Sequence, residues 1–150
     1  MKYLTHSSLG ILFLTLTLIF SVHARASEQL INYYFSAAKT GQTEVIEEFI
    51  NNGFPINLAN DMSYTALMMA TYYGHTQTVD RLLALGADAC LRDKRGNTAM
   101  MGAIIKAEWR IARKLYNHTC KDSNNNQKTV EQFAAVFGQT KKLQALATEF

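Results

Sequence analysis

Metal and redox motifs are missing from this chain. It has two cysteines and four histidines, and neither a Cys-x-x-Cys nor a His-x-x-x-His occurs, which excludes the spacings that hold structural zinc or run dithiol exchange. Catalytic sets are missing as well. There is no nucleophile elbow, no phosphate-binding glycine loop and no paired acid dyad at helical spacing in a plausible pocket, and neither Ser63 nor Thr98 has an evident base. The chain therefore reads as a non-enzyme. Apolar runs are scarce too. Only one stands out, Leu9 to Phe20, interrupted by Thr15, Thr17 and small residues.

That run has the form of a leader. Lys2 gives a positive start, and Ala24-Arg25-Ala26 has the small-x-small pattern of a cleavage site. Its roughly 12 residues fall short of the about 20 needed to span hydrocarbon. The expectation is a signal peptide over 1–26, cut after Ala26 with a cut after Ala24 as the alternative, and a mature domain over 27–150. Cleavage removes Lys2 and Arg25 and no acid from a chain whose formal charge is +3. What remains is nearly neutral, without the basic stripe a nucleic-acid binder needs. A periplasmic location and no membrane insertion after cleavage follow as expectations.

The mature part repeats itself with a period of about 33 residues. At that shift Ala37, Ala70 and Ala103 coincide, as do Gly41, Gly74 and Ala107. Ile46, Val79 and Ala112 line up, then Phe49, Leu82 and Leu115. Gly53 falls on Gly86, and Thr65 on Thr98. A fourth unit matches after a two-residue deletion through Thr129, Ala134, Gly138 and Leu143. Thr65 and Thr98 are placed to cap first helices and Gly74 to end one. Such units cannot bury an apolar face alone and must stack.

The unit Thr65-Ala66-Leu67-Met68-Met69-Ala70, Gly74-His75, Leu82-Leu83, Gly86-Ala87-Asp88 resembles the ankyrin repeat. It departs from the family at Ala66, where proline is preferred, and at Met68, where histidine is. The resemblance implies an all-α solenoid of about four helix-pair units with short hairpin loops. His75 then reads as a bond between neighbouring loops. The methionine pairs Met68-Met69 and Met100-Met101 read as core packing rather than a soft-metal or oxidant-scavenging cluster.

Ankyrin arrays bind through hairpin tips and the exposed side of the first helices. On that face the sequence places Lys39 and Thr40; Asp61, Met62, Tyr64, Tyr72 and Tyr73; Lys94, Arg95, Asn97, Ile105 and Lys106; and Lys128, Val136 and Phe137. Aromatic side chains and arginine dominate interface energetics. The expected site is therefore a protein-binding surface, aromatic in the middle and positive to one side, for a partner with an acidic rim. Cys90 and Cys120 flank the third unit. An exported chain allows them to pair, worth roughly 3–4 kcal/mol, or they are two buried thiols.

The stretch from Gly86 to Ala103, with Ile111 to Leu115 and Cys120, is similar to a group of small exported bacterial ankyrin proteins associated with catalase. The two cysteines belong to that resemblance. It implies an accessory protein supporting catalase activity and peroxide resistance, with catalase as partner and no resident cofactor. A haem carrier is the alternative. Tyr64, beside Lys94 and Arg95, would be its axial ligand. An immunity or inhibitor protein against an exported toxin is a third reading on the same fold.

Overall fold

The computed structural model describes residues 27–118, 120 and 129–149. The expected leader and Lys128 lie outside them. The chain divides into two compact units, Met1–Tyr33 and Tyr34–Phe150. In the first, residues 27–33 are helical, with Leu30 and Tyr33 half-exposed. The second unit contains α1 (residues 34–40), α2 (Thr43–Asn51), α3 (Ala66–Tyr72), α4 (Thr76–Ala84), α5 (Ala99–Lys106), α6 (Trp109–Tyr116), α7 (Val130–Val136) and α8 (Thr140–Ala147). Among the described residues there is no strand, only an isolated bridge between Ala59 and Thr65. The fold is an all-α repeat solenoid of four helix pairs.

The helices start where the threonines fall. The hydroxyls of Thr65 and Thr98 accept the N–H of Met68 at 3.3 Å and of Met101 at 3.4 Å. Thr129 does the same for Gln132, whose side chain in turn accepts the Thr129 N–H, a reciprocal capping box. Each helix pair then turns through one shared motif. His75 N–H reaches back to the Ala70 carbonyl, Gln42 to Ala37, Glu108 to Ala103 and Gln139 to Ala134, all within 2.8–2.9 Å. The residue before each donor is left-handed: Gly41, Gly74 and Gly138 as glycine, and Ala107 at φ 56°.

Stacking follows from the small residues the period brings together. Ala37, Ala70, Ala103 and Ala134 are all fully buried, so helices approach closely at those levels. First helices pack α3 on α5 and α5 on α7, and second helices pack α2 on α4 and α4 on α6. Ile46, Val79, Leu82, Ile111 and Leu115 fill the space between them. Each full burial of this kind contributes about 1.5–3 kcal/mol. The start of the unit is aromatic instead: Tyr34 meets Phe35, Phe49 and Phe54 with ring centroids 4.7–5.5 Å apart.

Polar ties add register. The Thr43 and Thr78 hydroxyls share a buried hydrogen bond of 2.8 Å. His75 Nε2 lies 2.7 Å from the carbonyl of Lys39, in the last turn of α1, so the bond expected between neighbouring loops runs from the second turn to the end of a helix. Second helices are linked by Glu47–Arg81 and by Asp80–Lys114 at 2.7 Å, and Arg113 of α6 pairs at 2.7 Å with Glu149, just beyond α8. Hydrogen bonding from Arg81, aided by its charge, holds the Glu47 carboxyl below the usual carboxylate range. Cys90 and Cys120 are joined in a disulfide with Cα atoms 5.3 Å apart, which places the third helix pair inside a covalent loop. The two-thiol alternative is set aside.

Candidate functional site

The loops preceding α3 and α5 are two copies of one turn. In the first, Asn60 Oδ1 accepts the N–H of Met62 and of Tyr64, each at 3.0 Å, and Ser63 is left-handed. In the second, Asp93 Oδ1 accepts from Arg95 and Asn97 N–H at 2.8 Å, and Gly96 is left-handed. An Asn or Asp at the turn's start organises the backbone that follows. The Lys94 N–H donates to the Met62 carbonyl at 3.1 Å, joining the two tips.

Between these tips and the first helices lies a cavity of about 590 Å³, within the range of roughly 300–1,000 Å³ typical of ligand sites. Met62, Tyr64, Arg95 and Asn97 stand at its tip end. Tyr72, Tyr73 and Ile105 stand at the other. Seven of the fifteen residues placed on the binding face by sequence therefore line one cavity. Asp61, Lys94 and Lys106 are exposed beside it without lining it.

The aromatic middle is built from a tyrosine pair. The Tyr72 and Tyr73 rings meet edge to face at 5.4 Å, and both remain over 40% exposed. Lys106 Nζ lies 4.9 Å from the centre of the Tyr72 ring, and Lys39 Nζ 5.3 Å from that of Tyr73. Each lysine holds a ring contributed by the neighbouring repeat, a contact worth about 0.5–1 kcal/mol at such exposure. The exposed apolar row continues through Ile105, Val136 and Phe137.

Seven of the lining residues lie outside the face expected from sequence, Met69, Asp93 and Gly102 among them. Met69 was assigned to the core with Met68, Met100 and Met101. Those three are buried, although Met68 also lines the cavity, whereas Met69 is half-buried there. Helix periodicity is the reason, since Met69 is one step around α3 from Met68. Asp93 is a second acid on a face counted as having Asp61 alone, but its carboxylate is occupied by the Asn97 amide at 3.1 Å and by the turn's N–H groups. Gly102 is the third. Its signal was available, because it falls on Met69 at the repeat shift.

Among the described residues no group of three or more His, Cys, Asp or Glu side chains could hold a metal, and no helix is long and apolar enough to cross a membrane.

The family model for ankyrin repeats (3 copies) matches residues 18–93. Protein HOS4 of Saccharomyces cerevisiae is 41% identical over 68 residues, 45% of this chain and 6% of that protein. An ankyrin repeat-containing protein of Treponema pallidum is 34% identical over 83 residues, 55% of this chain and 28% of that one. An ankyrin repeat protein of Pseudomonas aeruginosa is 32% identical over 53 residues, covering 35% of this chain and 31% of its own length. The chain thus spans less than a third of each of these relatives.

Proposed function

Because the chain belongs to the ankyrin-repeat family of protein-binding modules, we propose that it is a periplasmic accessory protein that supports catalase activity and peroxide resistance. It does so by holding a protein partner, catalase, in the cavity between its second and third repeats. The observation that carries the binding part is the cavity itself. Tyrosine, methionine and arginine side chains converge there from two repeats, in the composition of an interface hot spot. The catalase part rests on the similarity of Gly86 to Ala103, with both cysteines, to the exported catalase-associated group. The test is a pull-down from periplasmic extract of the host, with the Tyr72→Ala/Tyr73→Ala double variant as control. Enrichment of catalase that the variant loses supports the reading. Enrichment of a different protein replaces catalase as partner.

One observation favours haem carriage as a second reading. Tyr64 and Arg95 line the same cavity, so an oxygen ligand and a cation for a propionate share one space. Added haem is then expected to shift its Soret band in a way that Tyr64→Phe abolishes. An unchanged band on addition of haem removes this reading.

A further inference from the structure

Helix α5 carries a glycine in its interior, Gly102, where glycine is the poorest helix former after proline. The usual reasons for such a residue are absent. Its backbone is not left-handed, and a Cβ built on it would meet only Thr71 Cγ2, at 3.9 Å, an ordinary van der Waals contact. The fold has room for a side chain at this position. What its absence creates is space in the cavity that Gly102 lines. The register sharpens the point. Gly102 falls on Met69 in the preceding repeat and on Phe133 in the following one. The row of first helices therefore has a notch between two large side chains.

The tip end of the cavity has a charge to match. Arg95 and Lys94 are exposed, and neither side chain is paired with an acid among the described residues. The carboxylate of Asp93, nearest in sequence, is already engaged by Asn97 and the turn's backbone. An unneutralised guanidinium thus stands at the mouth of an apolar trough.

We propose that the notch at Gly102 is an anchor subsite. It receives one large apolar side chain from a peptide segment of the protein partner, and a carboxylate of the same segment pairs with Arg95. This rests on the reading of the cavity as the binding surface, and it names what that surface selects. Apolar anchors in such pockets carry a large share of binding energy. A guanidinium–carboxylate pair is charge-assisted and directional, so charge complementarity selects an acidic segment over a neutral or basic one.

Gly102→Met provides the test, because it installs the residue that the preceding repeat already carries at this register. It improves helix propensity and its Cβ meets only an ordinary contact, so the variant is expected to fold at least as stably as the parent. The probe is a displayed library of random short peptides selected on the full protein. Selected peptides are expected to share a large apolar side chain accompanied by Asp or Glu. They should bind Gly102→Met at least tenfold more weakly while its thermal midpoint does not fall, and Arg95→Ala should remove the preference for acidic members. Peptides that bind Gly102→Met as well as the parent, yet lose affinity with Tyr72→Ala, overturn the notch and leave the cavity standing as the surface. Peptides that lack acids, or that keep their acidic preference with Arg95→Ala, overturn the charge pairing. A selection that yields no peptide sensitive to Gly102→Met or Tyr72→Ala overturns the binding surface and the notch together.

Discussion

The imidazole of His75 rests on Gly41. A Cβ added to that glycine would stand 2.5 Å from His75 Nδ1, while Nε2 of the same ring meets the Lys39 carbonyl at 2.7 Å. The first hairpin and the second are thus keyed by one ring lying on one bare backbone. The next interval repeats the relation with a different side chain, since a Cβ on Gly74 would meet the Glu108 carboxylate at 2.8 Å.

Gly41→Ala is expected to destabilise the protein by about 2 kcal/mol or more, from the left-handed backbone and the collision with His75 together. His75→Ala should cost about 1 kcal/mol, the loss of one hydrogen bond. The double variant should be less destabilised than the sum, because removing the ring relieves the collision. Urea unfolding of the four proteins measures this; strict additivity would place the whole cost of Gly41→Ala in the backbone.

Ala107 occupies the corresponding position of the third hairpin at φ 56°. Ala107→Gly should stabilise by about 0.5–1 kcal/mol, the relief of left-handed strain less the added freedom of the unfolded chain. A rise in urea midpoint without a change in slope is the expected result.

Tyr34 is fully buried among Phe35, Phe49 and Phe54, and its hydroxyl donates to the Ile56 carbonyl at 3.4 Å. Burial pushes its phenol up from 10 to about 12. The folded state excludes the tyrosinate, so this contribution to stability is complete below pH 10 and disappears as pH rises through about 12. Relative to Tyr34→Phe, the parent should lose about 2–3 kcal/mol across that window. Parallel urea titrations of the two proteins would read the difference. Curves that stay parallel from neutral to alkaline pH would place the phenol in contact with water.

Reducing the Cys90–Cys120 bond, or replacing both residues by serine, should lower stability by about 3 kcal/mol through the entropy returned to the unfolded chain. The observable is a lower urea midpoint for the reduced protein, and no change on adding reductant to the double-serine variant.

Much of this architecture could be read from spacing. The coincidence of Ala37, Ala70 and Ala103 marked the levels where helices touch, and Thr65 and Thr98 marked their starts, because capping and close packing depend on residue type at one position. Thr129 emerged once the two-residue deletion was allowed. The ion pairs Glu47–Arg81 and Asp80–Lys114 were not legible. They join residues one step beyond the repeat, and only the rotation between stacked helices decides which charges meet. The face of Met69 and the emptiness at Gly102 were hidden for a related reason. A period identifies equivalent places, whereas a cavity arises from the difference between them.

The Cys90–Cys120 bond acquires a mechanical meaning from where it sits. In a stack held by nearest-neighbour contacts, unravelling begins at an end and proceeds one helix pair at a time. Loss of α7 and α8 breaks no covalent link, so that end is free to open and reclose. The next step would have to melt a helix pair whose two ends are already tied together, with far less disorder to gain. The third repeat therefore acts as a stop knot. At this end it confines fraying to the last pair and keeps one wall of the cavity, with Arg95 and Gly102, standing while α7 and α8 open.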